Sequence, residues 1–297
     1  RTHNKGTAFG ICCRTEQAHT TTDRGCDRMK AFSELGQSEL SMVRKFTDMK
    51  EGYLVHVEKD GNLDLRFESR ELFVLAVFEK GVNANVNQKI HKVKQTLQII
   101  LKENSHVNWT LFQTRSETEQ SSELCSNASL SLNKFFLGQN QFVGCNIMTE
   151  QNACVDFSGL CFSNNDVNIA ITNSHKAPHT KSSMIVKNVA KDNADIECKG
   201  LIQIDSTASQ ADGSQELHSL MIGKAKSHVD PQLEVKTHDV RCTHAASTGQ
   251  IDEDELFYLR SRGLSLDVAK TLLVESFLDP VFGKHKEELL QLIGDMK

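Results

Sequence analysis

Between about residue 53 and residue 243 the chain is a succession of short apolar or alternating segments, and no stretch of helical period interrupts it. Residues 54–57 are mostly apolar. Leu63, Leu65 and Phe67 then alternate with Asp64 and Arg66, the period of two that marks a half-buried strand. Residues 72–78 form a continuous apolar run, and Val82, Ala84 and Val86 alternate with Asn83 and Asn85. Similar segments recur at 96–101, 106–112, 130–137, 142–148, 155–157, 167–171, 184–186, 201–204, 220–222, 233–235 and 240–242. The links between them are rich in Asn, Ser, Gly and Asp, residues that favour turns.

Short strands spaced by about 8–12 residues are compatible with a sandwich, a barrel or a solenoid. Asn is frequent at the strand ends, Pro occurs only 3 times, and the β region is long for a single sandwich. These features favour a solenoid. In a parallel β-helix each turn stacks on the next, so short strands suffice and the core is a thin column. The hydrophobic fraction of 38% fits such a column better than a ball-shaped core, for which about 45–50% is usual. The expectation is a mainly β protein with a β-helix core over 51–250, after an unassigned segment over 1–50.

The last stretch, 251–297, reads as a small helical domain. Asp252, Glu253, Asp254 and Glu255 open a helix, where negative charge suits the positive end. Arg260 and Arg262 close it before Gly263. Ser265 caps a second helix that offers Val268, Leu272 and Phe277 for one face and is expected to end at Pro280. A third begins near Lys284 and carries Leu289, Leu290, Leu292 and Ile293.

The net charge is −5, so nothing global points to nucleic acid, and no apolar run approaches the ~18–20 residues of a membrane span. The nine Cys are odd in number and include no C-x-x-C pair, which favours reduced thiols over a disulfide framework or a zinc ribbon. The chain contains no G-x-S-x-G, H-E-x-x-H or phosphate-loop motif. A polysaccharide-active β-helix enzyme is disfavoured by the cysteines and by the lack of an export signal at this N-terminus. The sharp six-residue period of a hexapeptide acyltransferase is missing as well.

Candidate metal chemistry concentrates after residue 175. Cys242-Thr243-His244 is the tightest Cys/His pair, and in a strand residues i and i+2 share a face. His175 and His179 are four apart but are separated by Pro178, which predicts a loop with solvated imidazoles. Asp230-Pro231 reads as a turn.

Pro231-Gln232-Leu233-Glu234-Val235 is followed by Asp239-Val240 and then by His244-Ala245-Ala246-Ser247. Downstream stands Leu256-Phe257-Tyr258-Leu259-Arg260-Ser261-Arg262-Gly263. Together with His175-Lys176-Ala177-Pro178-His179, these motifs strongly resemble the SufB/SufD family of iron–sulfur cluster assembly proteins, most closely its SufD type. The resemblance implies a right-handed parallel β-helix flanked by helical domains. It implies a non-catalytic scaffold that pairs with a SufB-like subunit and a SufC-like ABC ATPase, in cytoplasm or plastid stroma. By the same resemblance His244 and Cys242 face an iron–sulfur cluster held transiently between the two subunits. Leu256, Phe257, Tyr258, Leu259, Arg260 and Arg262 would contact the ATPase. SufB-type members carry a cluster-nucleating Cys just before the stretch matching 219–223, and this chain has Leu217 there. The departure favours the SufD-type role. It also leaves open a structural β-helix that binds the ATPase without holding a cluster.

Overall fold

The computed structural model describes residues 29–31, 52–67, 71–91, 94–114, 117–138 and 141–294. All but the first of its strands belong to a two-sheet parallel solenoid, as the strand pattern predicts. One sheet stacks β2 (Tyr53–Val57), β4 (Glu71–Phe78), β6 (Lys94–Leu101), β8 (Glu117–Leu124), β10 (Gln141–Thr149), β12 (Val167–His175), β14 (Asp195–Ile204) and β16 (Lys226–Val235). The other stacks β3 (Gly61–Phe67), β5 (Asn83–His91), β7 (His106–Thr114), β9 (Ser129–Leu137), β11 (Cys154–Ser163), β13 (Lys181–Asp192), β15 (Asp212–Gly223) and β17 (Arg241–Gln250). The chain crosses from one sheet to the other at every turn. A short β1 (Met29–Ala31) pairs antiparallel with β2 at the first edge. The rest of the 1–50 segment lies outside the described residues.

The register contains a repeat that the sequence hides. Asn62, Asn85 and Asn108 lie 23 residues apart and join in a ladder of amide hydrogen bonds of 2.9 and 3.0 Å along the outer face. A second ladder runs along one turn. Asn104, Asn127, Asn152, His179 and Gln210 all take positive φ, between 56° and 60°. Asn tolerates this left-handed conformation better than most residues. Each of these backbone N–H groups donates to the carbonyl of the turn above, as Asn127 does to Gln151 at 2.9 Å. The turn Asn residues are thus conformational choices as well as polar ones.

The lumen is lined by alternate residues of both sheets. Val86, Trp109, Leu132, Phe157 and Met184 stack in one column, each in register with the next. Polar side chains also enter it. Gln88 accepts from the Trp109 indole at 3.1 Å, and the Gln120 amide donates to Ser122 at 3.0 Å. Lys134 is fully buried, and desolvation lowers its pKa and favours the neutral amine.

The C-terminal helices are α1 (Glu253–Ser261), α2 (Leu266–Phe282) and α3 (Lys286–Gly294), the last two joined by a 3-10 turn, Gly283–His285. Asp252 caps α1 by accepting from the backbone N–H groups of Asp254 and Glu255, and Ser265 caps α2 by accepting from Val268. The helices fold back over the outer face of the second sheet. There Phe112, Phe135, Leu160, Phe162 and Val189 meet Val274, Leu278, Val281, Phe282, Leu289 and Ile293 in a second apolar core.

Two details differ from the sequence expectation. The buried face of α2 is Ala269, Val274, Leu278, Val281 and Phe282, whereas Val268 and Leu272 are exposed. The amphipathic stripe is set by the aromatic sheet below it, and the helix is apolar on more than one side. Pro280 does not end α2, which continues to Phe282. Pro280 gives up the N–H that would reach the Ser276 carbonyl, and the helix runs only two residues beyond it before Gly283 ends it.

Candidate functional site

The solenoid ends on two strands that no described residue covers. In a parallel ladder the N–H and C=O of one residue face the same neighbour, and alternate residues face opposite neighbours. Arg241 N–H donates to Ala211 O at 2.9 Å, back toward β15. The backbone groups of Cys242, His244, Ala246 and Thr248 therefore face the open edge. On β16, Lys226 and Lys236 donate back to Ala194 and Ile204, so Val229, Pro231, Leu233 and Val235 face that edge too.

This geometry corrects the reading of Asp230-Pro231 as a turn. Both residues lie inside β16, with Pro231 in register with Gly200. The N–H that Pro231 lacks would point to the open edge, so the β14–β16 ladder loses no bond. A proline is compatible with a strand on that side alone.

Cys242 and His244 share the inward face of β17, as their spacing predicts. Their register partners on β15 are Gly213 and Gln215, both buried in the lumen. Cys242 is half-buried against Ile202, Ile204, Ala208 and Ala211, together with Leu233 and Val240. Burial and the nearby Asp212 carboxylate push its thiol pKa up, so ionisation of Cys242 calls for a cation or a metal beside it. His244 lies one position further along the same face and is exposed. A thiol and an imidazole at an open solenoid end amount to part of a coordination set. Among the described residues, no three His, Cys, Asp or Glu side chains converge into a metal site. Leu217 is fully buried in the lumen, in register with Ala246.

His175 is not solvated. It ends β12 inside the lumen, with ring nitrogens 2.6 Å from Thr180 Oγ1 and 2.8 Å from Ser182 Oγ. His179, by contrast, is exposed in the left-handed turn position. The H-x-A-P-H pattern points one imidazole in and one out because Pro178 and the turn reverse the chain between them. Burial lowers the His175 pKa from 6.5 to about 4. The folded state therefore favours the neutral ring. Its contribution to stability is complete above pH 6.5 and is lost as pH falls from 6.5 toward 4, to a total of ~3 kcal/mol. The urea midpoint of the wild-type chain is expected to fall between pH 6.5 and 4.5. His175→Gln, which keeps a donor and an acceptor but does not titrate, is expected to flatten that slope. Equal slopes in the two proteins would assign the pH dependence to other groups.

The predicted partner-binding residues divide. Leu256 is buried in the α1 packing, whereas Phe257 and Tyr258 are 74% and 56% exposed. Arg260 and Arg262 are exposed, with the Arg262 guanidinium 5.1 Å from the Tyr258 ring centroid. Leu259 is intermediate. Phe257, Arg260, Ser261, Gly263, Leu264 and Ser265 line an open groove between α1 and α2. Leu266, Val268 and Leu272 of α2 add exposed apolar surface, the last two being residues the sequence offered for a packed face.

Comparison with known proteins agrees with this architecture. Residues 71–277 match the family model described as SUF system FeS cluster assembly, SufBD core domain. The chain is 34% identical over 104 residues to the iron–sulfur cluster assembly protein SufD of Escherichia coli K12, covering 35% of this chain and 25% of that protein. It is 34% identical over 115 residues to the chloroplastic SufBD family protein ABCI8 of Arabidopsis thaliana, covering 38% of this chain and 21% of that one. The chloroplastic Arabidopsis protein ABCI7 is 28% identical over 206 residues, 67% of this chain and 41% of its own length. The matches thus span less than half the length of these relatives. The two-sheet parallel solenoid and the family match over most of its turns lead to one conclusion: the chain belongs to the SufBD family of iron–sulfur cluster assembly proteins.

Proposed function

We propose that this chain is a non-catalytic scaffold subunit, of SufD type, in a complex that assembles iron–sulfur clusters. Its partners in this reading are a SufB-like subunit and a SufC-like ABC ATPase. The observation that carries it is the open end of the solenoid. There Cys242 and His244 share one face, beside a row of unpaired backbone groups ready for strand addition. Thiolate and imidazole are both iron ligands. Because the described residues hold only part of a coordination set, the remaining ligands in this reading come from the subunit docked on that end. Joining and parting the two ends would then make and break the site, and the nascent cluster is cargo passing through it.

Leu217 occupies the position of the SufB-type nucleating Cys, so nucleation belongs to the partner. ATP hydrolysis belongs to the third protein, which the exposed α1–α2 surface would receive. A compartment of reduced thiols, cytoplasm or plastid stroma, suits the Cys242 role.

The test is co-expression with SufB-like and SufC-like partners, anaerobic purification, and the visible absorption of the complex. His244→Ala is expected to assemble the complex and lose most of the cluster absorption, and Cys242→Ser to lower it. Normal absorption in both variants would favour the second reading, a structural β-helix that binds the ATPase without a cluster. That alternative draws on the half-buried, high-pKa Cys242 thiol.

A further inference from the structure

We propose that the His285 imidazole is an acid-sensitive pin between the C-terminal helices and the solenoid, so that a proton on the ring undocks α3 and the end of α2. His285 closes the 3-10 turn that joins those two helices. It is a half-buried polar ring set against an apolar seam.

The ring stands edge-on to two aromatic side chains of the second sheet. Its centroid is 5.5 Å from that of Phe112, at 80° between the planes, and 5.6 Å from that of Phe135, at 61°. Its Nε2 lies 3.3 Å from Thr110 Oγ1, and Thr110 is itself 2% exposed on β7. A hydroxyl can donate or accept, so it suits either nitrogen of a neutral imidazole. An imidazolium has two N–H groups and a charge to satisfy, and the phenyl rings supply neither an acceptor nor water.

Charged groups reach His285 from three elements. Lys284 adjoins it in the same turn, Glu288 follows one turn on in α3, and Lys89 on β5 is paired with Glu288. Lys286, the next residue, is engaged with Asp279 of α2. Burial first, and then the Lys284 ammonium, lower the pKa of His285 from 6.5; Glu288 opposes them and Lys89 adds to them. An undocked ring in water returns to the ordinary value, so the undocked state takes up the proton more readily. Docking is therefore at full strength above pH 6.5 and weakens as pH falls below it. The effect is local, because this seam is a core apart from the lumen. α2 also carries exposed surface read above as part of the ATPase contact, and under that reading acid loosens the contact too; the undocking itself does not depend on it.

The test is hydrogen exchange of the full chain by mass spectrometry, corrected for the intrinsic effect of pH on amide exchange. Between pH 7.5 and pH 5, on either side of the ordinary imidazole value, the protection of residues 286–294 is expected to fall severalfold in the wild type. His285→Phe keeps a ring in the seam but cannot titrate, and its protection is expected to stay level over the same range. Lys284→Gln removes the adjoining like charge and is expected to lessen the fall. An equal fall in the wild type and His285→Phe, or no fall in the wild type, overturns the proposal. If His285→Phe has already lost the protection at pH 7.5, His285→Gln decides, since it keeps a hydrogen-bonding group for Thr110 and does not titrate.

Discussion

Phe257→Asp, in the full chain, is expected to abolish capture of a SufC-like ATPase in a pull-down from co-expressing cells. Among the described residues Phe257 is the most exposed large apolar side chain, at 74%, and Tyr258 beside it is 56% exposed. Aromatic and Arg side chains dominate binding hot spots, and Arg260 and Arg262 flank these two rings. Losing one such anchor costs about 2–4 kcal/mol, or roughly 30- to 1000-fold in Kd, enough to empty a pull-down. Burial decides which residue is informative. Leu256→Asp would place a charge in the helix packing and lose binding through unfolding, whereas Phe257→Asp leaves α1 intact. Val268→Asp on the neighbouring α2 surface is expected to weaken capture as well, and Glu287→Lys on α3 to leave it unchanged. Undiminished capture by Phe257→Asp would place the ATPase contact elsewhere.

The second large effect concerns how the helices are mounted. Leu278 is fully buried between α2 and the aromatic outer face of the second sheet. Leu278→Ala is expected to cost about 2–5 kcal/mol, as core truncations do. Leu278→Asp is expected to cost more, because an unpaired carboxylate has no partner in that layer. The lumen is a separate core, so the loss should be local. Limited proteolysis should cut between 251 and 294 while the β-sheet circular dichroism persists. Release of the helices would uncover Phe112, Phe135 and Phe162, and binding of a hydrophobic dye should rise in parallel. Simultaneous loss of both signals would show that solenoid and helices unfold as one unit.

The strand texture was legible because lumen-facing residues alternate, and the helix caps because Asp252 and Ser265 act locally. Other parts were not. The period is 23 residues in the early ladders, as between Asn62 and Asn85, but Asn127 and Asn152 are 25 apart and Asn188 pairs with Ser219 at 31. Turns of unequal length, 27 residues between Cys154 and Lys181, 31 between Lys181 and Asp212 and 29 between Asp212 and Arg241, blur any fixed repeat. β8 escaped notice because it reads ETEQSSEL, with Gln120 and Ser122 facing inward. Those two hydrogen-bond each other in the lumen, a pairing that hydropathy does not register. His175 looked solvated for the same reason, its Thr180 and Ser182 partners being supplied by the end of the following turn and by β13. The Cys242/His244 pair was legible because a shared strand face depends on spacing alone.

The growth of the coil also gives the solenoid a direction. Paired residues lie 23 apart near β5, as Asn83 and His106 do, and 29 apart at the last turn, as Asp212 and Arg241 do. The two termini of the stack therefore differ in girth, and a copy placed head to tail would seat a small turn on a large one. Indefinite head-to-tail growth, the usual hazard of exposed strand edges, is opposed by this mismatch.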